Sequence, residues 1–134
     1  MKSFFLAILA TISLMANLKE IDEKELLKMQ QNGVVVIDIR TPQEWKQRGI
    51  IKGAHTIMFF TPDGQADIGN FMFKLGNLIK NKQEPFIIYC AHANRTKTLG
   101  KWLTKDMGFS NVYELKGGIE YGWIDKGLKS TPYK

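Results

Sequence analysis

Pro85-Phe86-Ile87-Ile88-Tyr89-Cys90-Ala91-His92-Ala93-Asn94-Arg95-Thr96 changes character at its cysteine. The first half is apolar and β-rich, so it reads as a strand that delivers Cys90 at its carboxyl end. The second half is small and polar. Beyond it Thr98, Leu99, Trp102, Leu103 and Met107 recur at helical spacing until Gly108 closes the helix. Strand, polar loop and helix in that order form the unit from which parallel sheets are built.

Working outward, the same alternation continues. Val34-Val35-Val36-Ile37, ending at Asp38, is a β-branched run that suits a strand buried on both faces. Before it, Asp22 and Glu25 form a possible capping box, and Ile21, Leu26, Leu27 and Met29 carry a helix that Gly33 stops. After it, Thr41 precedes Pro42 at a first helical position, giving a short helix to about Arg48. Residues 53–57 suit a short strand. Thr61-Pro62-Asp63-Gly64 is a turn opening a polar loop that ends near Gly69, and Phe71, Leu75, Leu78 and Ile79 then line one helix face. Asn111-Val112-Tyr113-Glu114-Leu115 is a further strand, followed by Gly117-Gly118 and a short helix holding Tyr121 and Trp123. The pattern predicts one α/β domain, a mainly parallel sheet with helices on both faces.

The chain's 134 residues suit one domain and leave no room for a separate cofactor fold. The formal charge of +6 comes from scattered residues without a run of like charge, which argues against a nucleic-acid arm. A single cysteine excludes an internal disulfide, and no Cys/His cluster has the spacing of a structural zinc site. No metal is expected. Residues 1–16 have the shape of a secretory signal peptide: Lys2 near the start, an apolar stretch over 4–15, and small Ala16 before the cut. The apolar stretch falls short of the roughly 20 residues of a transmembrane helix. The expectation is therefore an exported, periplasmic protein whose folded domain is residues 17–134. A retained N-terminal anchor is the competing reading. Export also puts the lone thiol in an oxidising compartment.

That thiol has a setting suited to chemistry. Ligand crevices of open parallel sheets lie beyond the carboxyl ends of the strands. A strand–loop–helix turn there aims backbone N–H groups and the positive end of a helix at Cys90, favouring an anion and a thiolate. His92 and Arg95 add positive charge nearby. Such surroundings lower a cysteine pKa from about 8.5 to between roughly 3.5 and 7.5. The alternative is a small buried hydrophobe, the common fate of a free cysteine, for which a polar loop makes a poor core wall.

Here the residues carry a resemblance. Cys90 to Arg95, a cysteine and an arginine separated by four residues, resembles the active-site loop of rhodanese-like sulfurtransferases. Asp38-Ile39-Arg40-Thr41-Pro42-Gln43-Glu44-Trp45 and Gly49-Ile50-Ile51-Lys52-Gly53-Ala54 resemble two further motifs of that family, and Leu115-Lys116-Gly117-Gly118-Ile119 with Trp123 resembles its closing motif. The four occur in the family's order across residues 34–127.

The resemblance implies a rhodanese fold with a five-stranded, mostly parallel sheet. It implies a thiosulfate sulfurtransferase that needs no cofactor, in which Cys90 takes a sulfane sulfur from a small anionic donor as a persulfide. The sulfur then passes to a thiophilic acceptor or acceptor protein. Ala91, His92, Ala93, Asn94, Arg95 and Thr96 would line the donor, with Arg95 anchoring the loop and His92 and Asn94 facing the donor. Arg40 would reach the same crevice, or pair with Asp38 or Glu44 instead. Two other readings share this cradle: a non-enzymatic sulfur carrier or interaction module, and an oxyanion reductase or phosphatase. Related dual-specificity phosphatases separate cysteine and arginine by five residues, a wider ring for phosphate. The shorter loop here, with no Asp or Glu to serve as general acid, favours sulfur.

Two positions depart from the family pattern. Ile50 stands where a histidine is usual, and Ala93 where glycine is common, so a left-handed backbone at 93 would carry strain. His55 reads as structural. Trp45, Trp102 and Trp123 read as packing, and Phe59, Phe60, Phe71 and Phe73 as core or lid, with residues 59–69 placed to form a lid or partner surface.

Overall fold

Phe86, Ile87, Ile88 and Tyr89 are all buried, and their side chains divide between two separate cores. Phe86 and Ile88 join one cluster, and Ile87 and Tyr89 join the other, as the two-residue repeat of a strand requires. This strand has a neighbour on each edge and helices on each face.

The computed structural model describes residues 16–134. The signal-peptide expectation for 1–16 therefore lies, up to residue 15, outside the described residues. In chain order the elements are β1 (Lys19–Ile21), α1 (Glu23–Gln31), β2 (Val35–Asp38), α2 (Pro42–Arg48) and β3 (His55–Thr56). They continue with α3 (Ile68–Leu78), β4 (Phe86–Tyr89), α4 (Asn94–Lys105), β5 (Val112–Leu115), α5 (Gly118–Gly122) and a single 3₁₀ turn over Ile124–Lys126. The sheet runs β1-β5-β4-β2-β3 with every pairing parallel. Phe71 and Leu75 of α3 and Leu99 and Leu103 of α4 cover one face. Leu26 of α1, Ile119 of α5 and Trp123 cover the other.

Local signals set most boundaries. Asp22 accepts from the Glu25 N–H at the start of α1, and Thr41 with Glu44 completes a reciprocal capping box before Pro42. Two elements depart from the sequence pattern. The polar edge strand β1 is held through backbone pairing to β5, with Glu20 opposite Glu114. Helix α4 begins at Asn94, well before its first apolar residue, so the polar stretch after Cys90 is mostly first helical turn.

Candidate active site

The strand order places a switch point beside Cys90. After β2 the chain adds β3 on one side, whereas after β4 it adds β5 on the other, so the carboxyl ends of β2 and β4 border a crevice. Cys90 follows β4 directly and is 1% exposed.

The loop's carbonyls are turned away and fixed. The Ile119 N–H donates to the Cys90 carbonyl at 2.9 Å, and the Glu120 N–H donates to the Ala91 carbonyl at 3.0 Å. This contact requires glycine at 118: φ is 64°, and a Cβ would overlap the Ala91 and Cys90 carbonyls. With the carbonyls held, the backbone N–H groups from Ala91 to Thr96 find no acceptor among the described residues, and α4 starts without a side-chain cap. A row of free donors at the amino end of a 12-residue helix is an anion cradle. Ala93 closes its curve at φ 64°, ψ 19°, the left-handed backbone that glycine adopts freely. The departure from glycine therefore carries strain of about 1–2 kcal/mol.

The charged residues around the cradle are paired. Arg95 donates to both Glu44 oxygens, at 2.7 and 2.8 Å, bracing the loop against α2. The hydrogen bond to Glu44 is the main reason Arg95 is held above its ordinary pKa. Burial pushes Glu44 up, but the Arg95 hydrogen bond and charge, with help from Thr41, outweigh it and hold the carboxyl below its ordinary value. Beside this pair lies a groove of about 720 Å³, walled by Gln43, Gln47, Phe60, Pro62, Asn94 and Thr98 among others. On the opposite flank His92 is exposed and packs against Tyr121, ring centroids 4.7 Å apart and planes tilted by 45°, next to the Arg48–Glu120 ion pair.

Beneath the loop, Cys90 Sγ lies 3.7 Å from the Thr96 hydroxyl. Thr96 donates to Glu114 Oε2 at 2.6 Å, and Lys97 Nζ donates to Glu114 Oε1 at 2.7 Å. Glu114 is 3% exposed. The sequence reading did not single it out. Its signal was available: in Val112–Leu115 it shares the inward face with Val112, an unusual place for a carboxylate.

Of the residues read as lining a donor, Ala91 and Ala93 lie in the loop that follows Cys90, Thr96 meets its sulfur, Asn94 and Arg95 line the neighbouring groove, and His92 sits apart against Tyr121. Arg40 stands corrected as a donor-binding residue. It is completely buried, its Nε and guanidinium nitrogen donate to Asp38 at 2.8–3.2 Å, and the same nitrogen donates to the Gly49 carbonyl at 2.6 Å. Burial opposes its charge, but Asp38 more than offsets this and keeps Arg40 protonated. Its guanidinium lies 5.9 Å from the centre of the Tyr89 ring, and the Tyr89 hydroxyl accepts the Ile51 N–H.

The remaining residues take packing or edge positions. Ile50 forms a two-bond bridge with Thr131 near the carboxyl terminus, and His55 is exposed on edge strand β3. Phe59 and Phe71 pack edge-to-face in the core, whereas Phe73 is exposed.

Residues 22–125 match the family model for the rhodanese-like domain. A thiosulfate sulfurtransferase GlpE of Pseudomonas entomophila is 30% identical over 111 residues, covering 79% of this chain and 85% of the relative. Among solved structures, Rv0390 of M. tuberculosis superposes with a TM-score of 0.68 at 21% identity, covering 85% of this chain and 97% of that one. The polysulfide-sulfur transferase homodimer of Wolinella succinogenes superposes at 0.64 and 24% identity, covering 87% and 80%. The chain belongs to the rhodanese-like sulfurtransferase family.

Proposed function

We propose that this member of the rhodanese-like family is a thiosulfate or persulfide sulfurtransferase that carries sulfur on Cys90. The observation that supports it most is the row of N–H groups, without an acceptor among the described residues, that follows the buried sulfur at the switch point. The relatedness to proteins named thiosulfate sulfurtransferase agrees with it. In the first half-reaction the Cys90 thiolate attacks the outer sulfur of thiosulfate. The S–S bond of the donor breaks, and sulfite leaves with the electron pair. The N–H groups hold the donor's negative charge and then the terminal persulfide sulfur. In the second half-reaction cyanide or a thiolate attacks that terminal sulfur, and Cys90 leaves as thiolate. Dividing transfer into two displacements gives ping-pong kinetics.

Purified protein incubated with thiosulfate and cyanide is expected to release thiocyanate, and Cys90→Ser to release none. A silent wild type that loads Cys90 only from a partner protein would replace this reading with that of a non-catalytic carrier. We also propose export to the periplasm, from residues 1–16. Protein isolated from its host is then expected to begin at Asn17, and an intact Met1 in the cytosolic fraction would contradict export.

A further inference from the structure

Glu114 is a buried carboxylate that neither half-reaction uses, yet it is one hydrogen bond from the group that touches sulfur. Thr96 has a single hydroxyl proton. At 2.6 Å its bond to Glu114 Oε2 has the length of a charge-assisted hydrogen bond, while the sulfur contact is 3.7 Å. The shorter bond wins the proton. Thr96 is therefore left with an oxygen lone pair facing Cys90, the polarity that accepts from S–H and repels S⁻.

We propose that Glu114 is a positioning residue that acts through Thr96 to hold Cys90 as a thiol at rest. When the thiol proton departs to water, the Thr96 O–H must release Glu114 and turn toward the sulfur, so the thiolate forms against the Thr96–Glu114 bond. The N–H groups of the loop pull the other way, toward the thiolate that attacks the donor. The charged groups that face this line are few. Lys97 of α4 neutralises the outer oxygen of Glu114, and Glu20 of β1 approaches the same ammonium at 3.8 Å. Arg95 is engaged with Glu44, and His92 with Tyr121. In an oxidising compartment such a restraint keeps an unused sulfur protonated and slow to oxidise. The inference takes Cys90 as the reacting sulfur, as above.

With one cysteine in the chain, its thiolate absorbance in the ultraviolet can be titrated against pH, with Cys90→Ser as the blank. Glu114→Gln is expected to lower the thiolate midpoint by about one pH unit, because the Thr96 proton is freed and a nearby negative charge is gone. In a Thr96→Ala background the same substitution is expected to move the midpoint much less. An unchanged or raised midpoint would overturn the proposal, as would an equal shift in both backgrounds. A second measurement needs no variant to fold. The infrared S–H stretch of the wild-type protein is expected at the lowered frequency of a donating thiol, and the frequency of a free thiol would refute the proposal. Both readouts are independent of sulfur transfer, so a protein that fails to make thiocyanate leaves them standing.

Discussion

The two loops that flank the switch point are made of similar residues and do opposite things. After β2, Asp38 and Arg40 turn inward and satisfy one another: the carboxylate takes the Arg40 N–H and its guanidinium, and the spare donor goes to Gly49. Both side chains are buried, and the carboxylate is held by three Arg40 donors. After β4 the carbonyls of Cys90 and Ala91 are consumed by α5, but the N–H groups from Ala91 to Thr96 have no acceptor among the described residues. A charged residue at the carboxyl end of a strand is thus no sign of a binding site. Unmet hydrogen-bonding capacity is the better sign, because a fold tolerates it only where solvent or a ligand completes it.

The contrast can be broken from either side, and the largest effect should come from the sealed loop. Arg40→Ala leaves the Asp38 charge buried and unpaired, so denaturant unfolding should show a loss of about 3–5 kcal/mol. A loss under about 1 kcal/mol would mean that the Asp38 charge does not depend on Arg40 for its burial. On the open side, Gly118→Ala puts a methyl group into the Ala91 carbonyl at a left-handed position. It should cost about 2 kcal/mol and lower the rate of sulfur transfer, because the loop must shift. A fully active variant of unchanged stability would show that the contact to α5 does not shape the cradle.

Acid tests the brace between the loops. Because Glu44 is held below its ordinary value of 4.5, its contribution is whole above that value and is lost as pH falls through the lower folded one. The pair is partly exposed, so the loss should be no more than about 1 kcal/mol and should vanish in Glu44→Gln. The smallest effect is expected at Ala93→Gly. Relief of left-handed strain outweighs the added freedom of the unfolded chain, for a net gain of about 0.5 kcal/mol. A drop in stability would mean that alanine is unstrained there.

The same contrast explains what the sequence disclosed. The runs at Val34–Ile37, Phe86–Tyr89 and Val112–Leu115 are legible because strands buried on both faces must be apolar throughout. Strand β1 is not, since Lys19 and Glu20 lie exposed at the sheet edge and its pairing is carried by backbone. The early start of α4 is also hidden, because Asn94, Arg95, Thr96 and Lys97 carry no apolar period and no N-cap side chain. Cys90 is marked by its place at a strand end, and Arg40 by the same logic was read as a ligand group. Only the three-dimensional partners separate them: Asp38 takes up the Arg40 guanidinium, whereas the N–H groups that follow Cys90 have no acceptor among the described residues. Glu114 needed its partners too, since a lone carboxylate in a strand does not say that Thr96 and Lys97 will reach it from α4.

The central claim is that the open loop makes Cys90 a sulfur carrier. Intact-mass analysis after incubation with thiosulfate tests it most directly, on wild type and Cys90→Ser side by side. The account predicts a gain of one sulfur atom on the wild type, removed by cyanide, and none on the variant. No gain on the wild type, or the same gain on both, would contradict it.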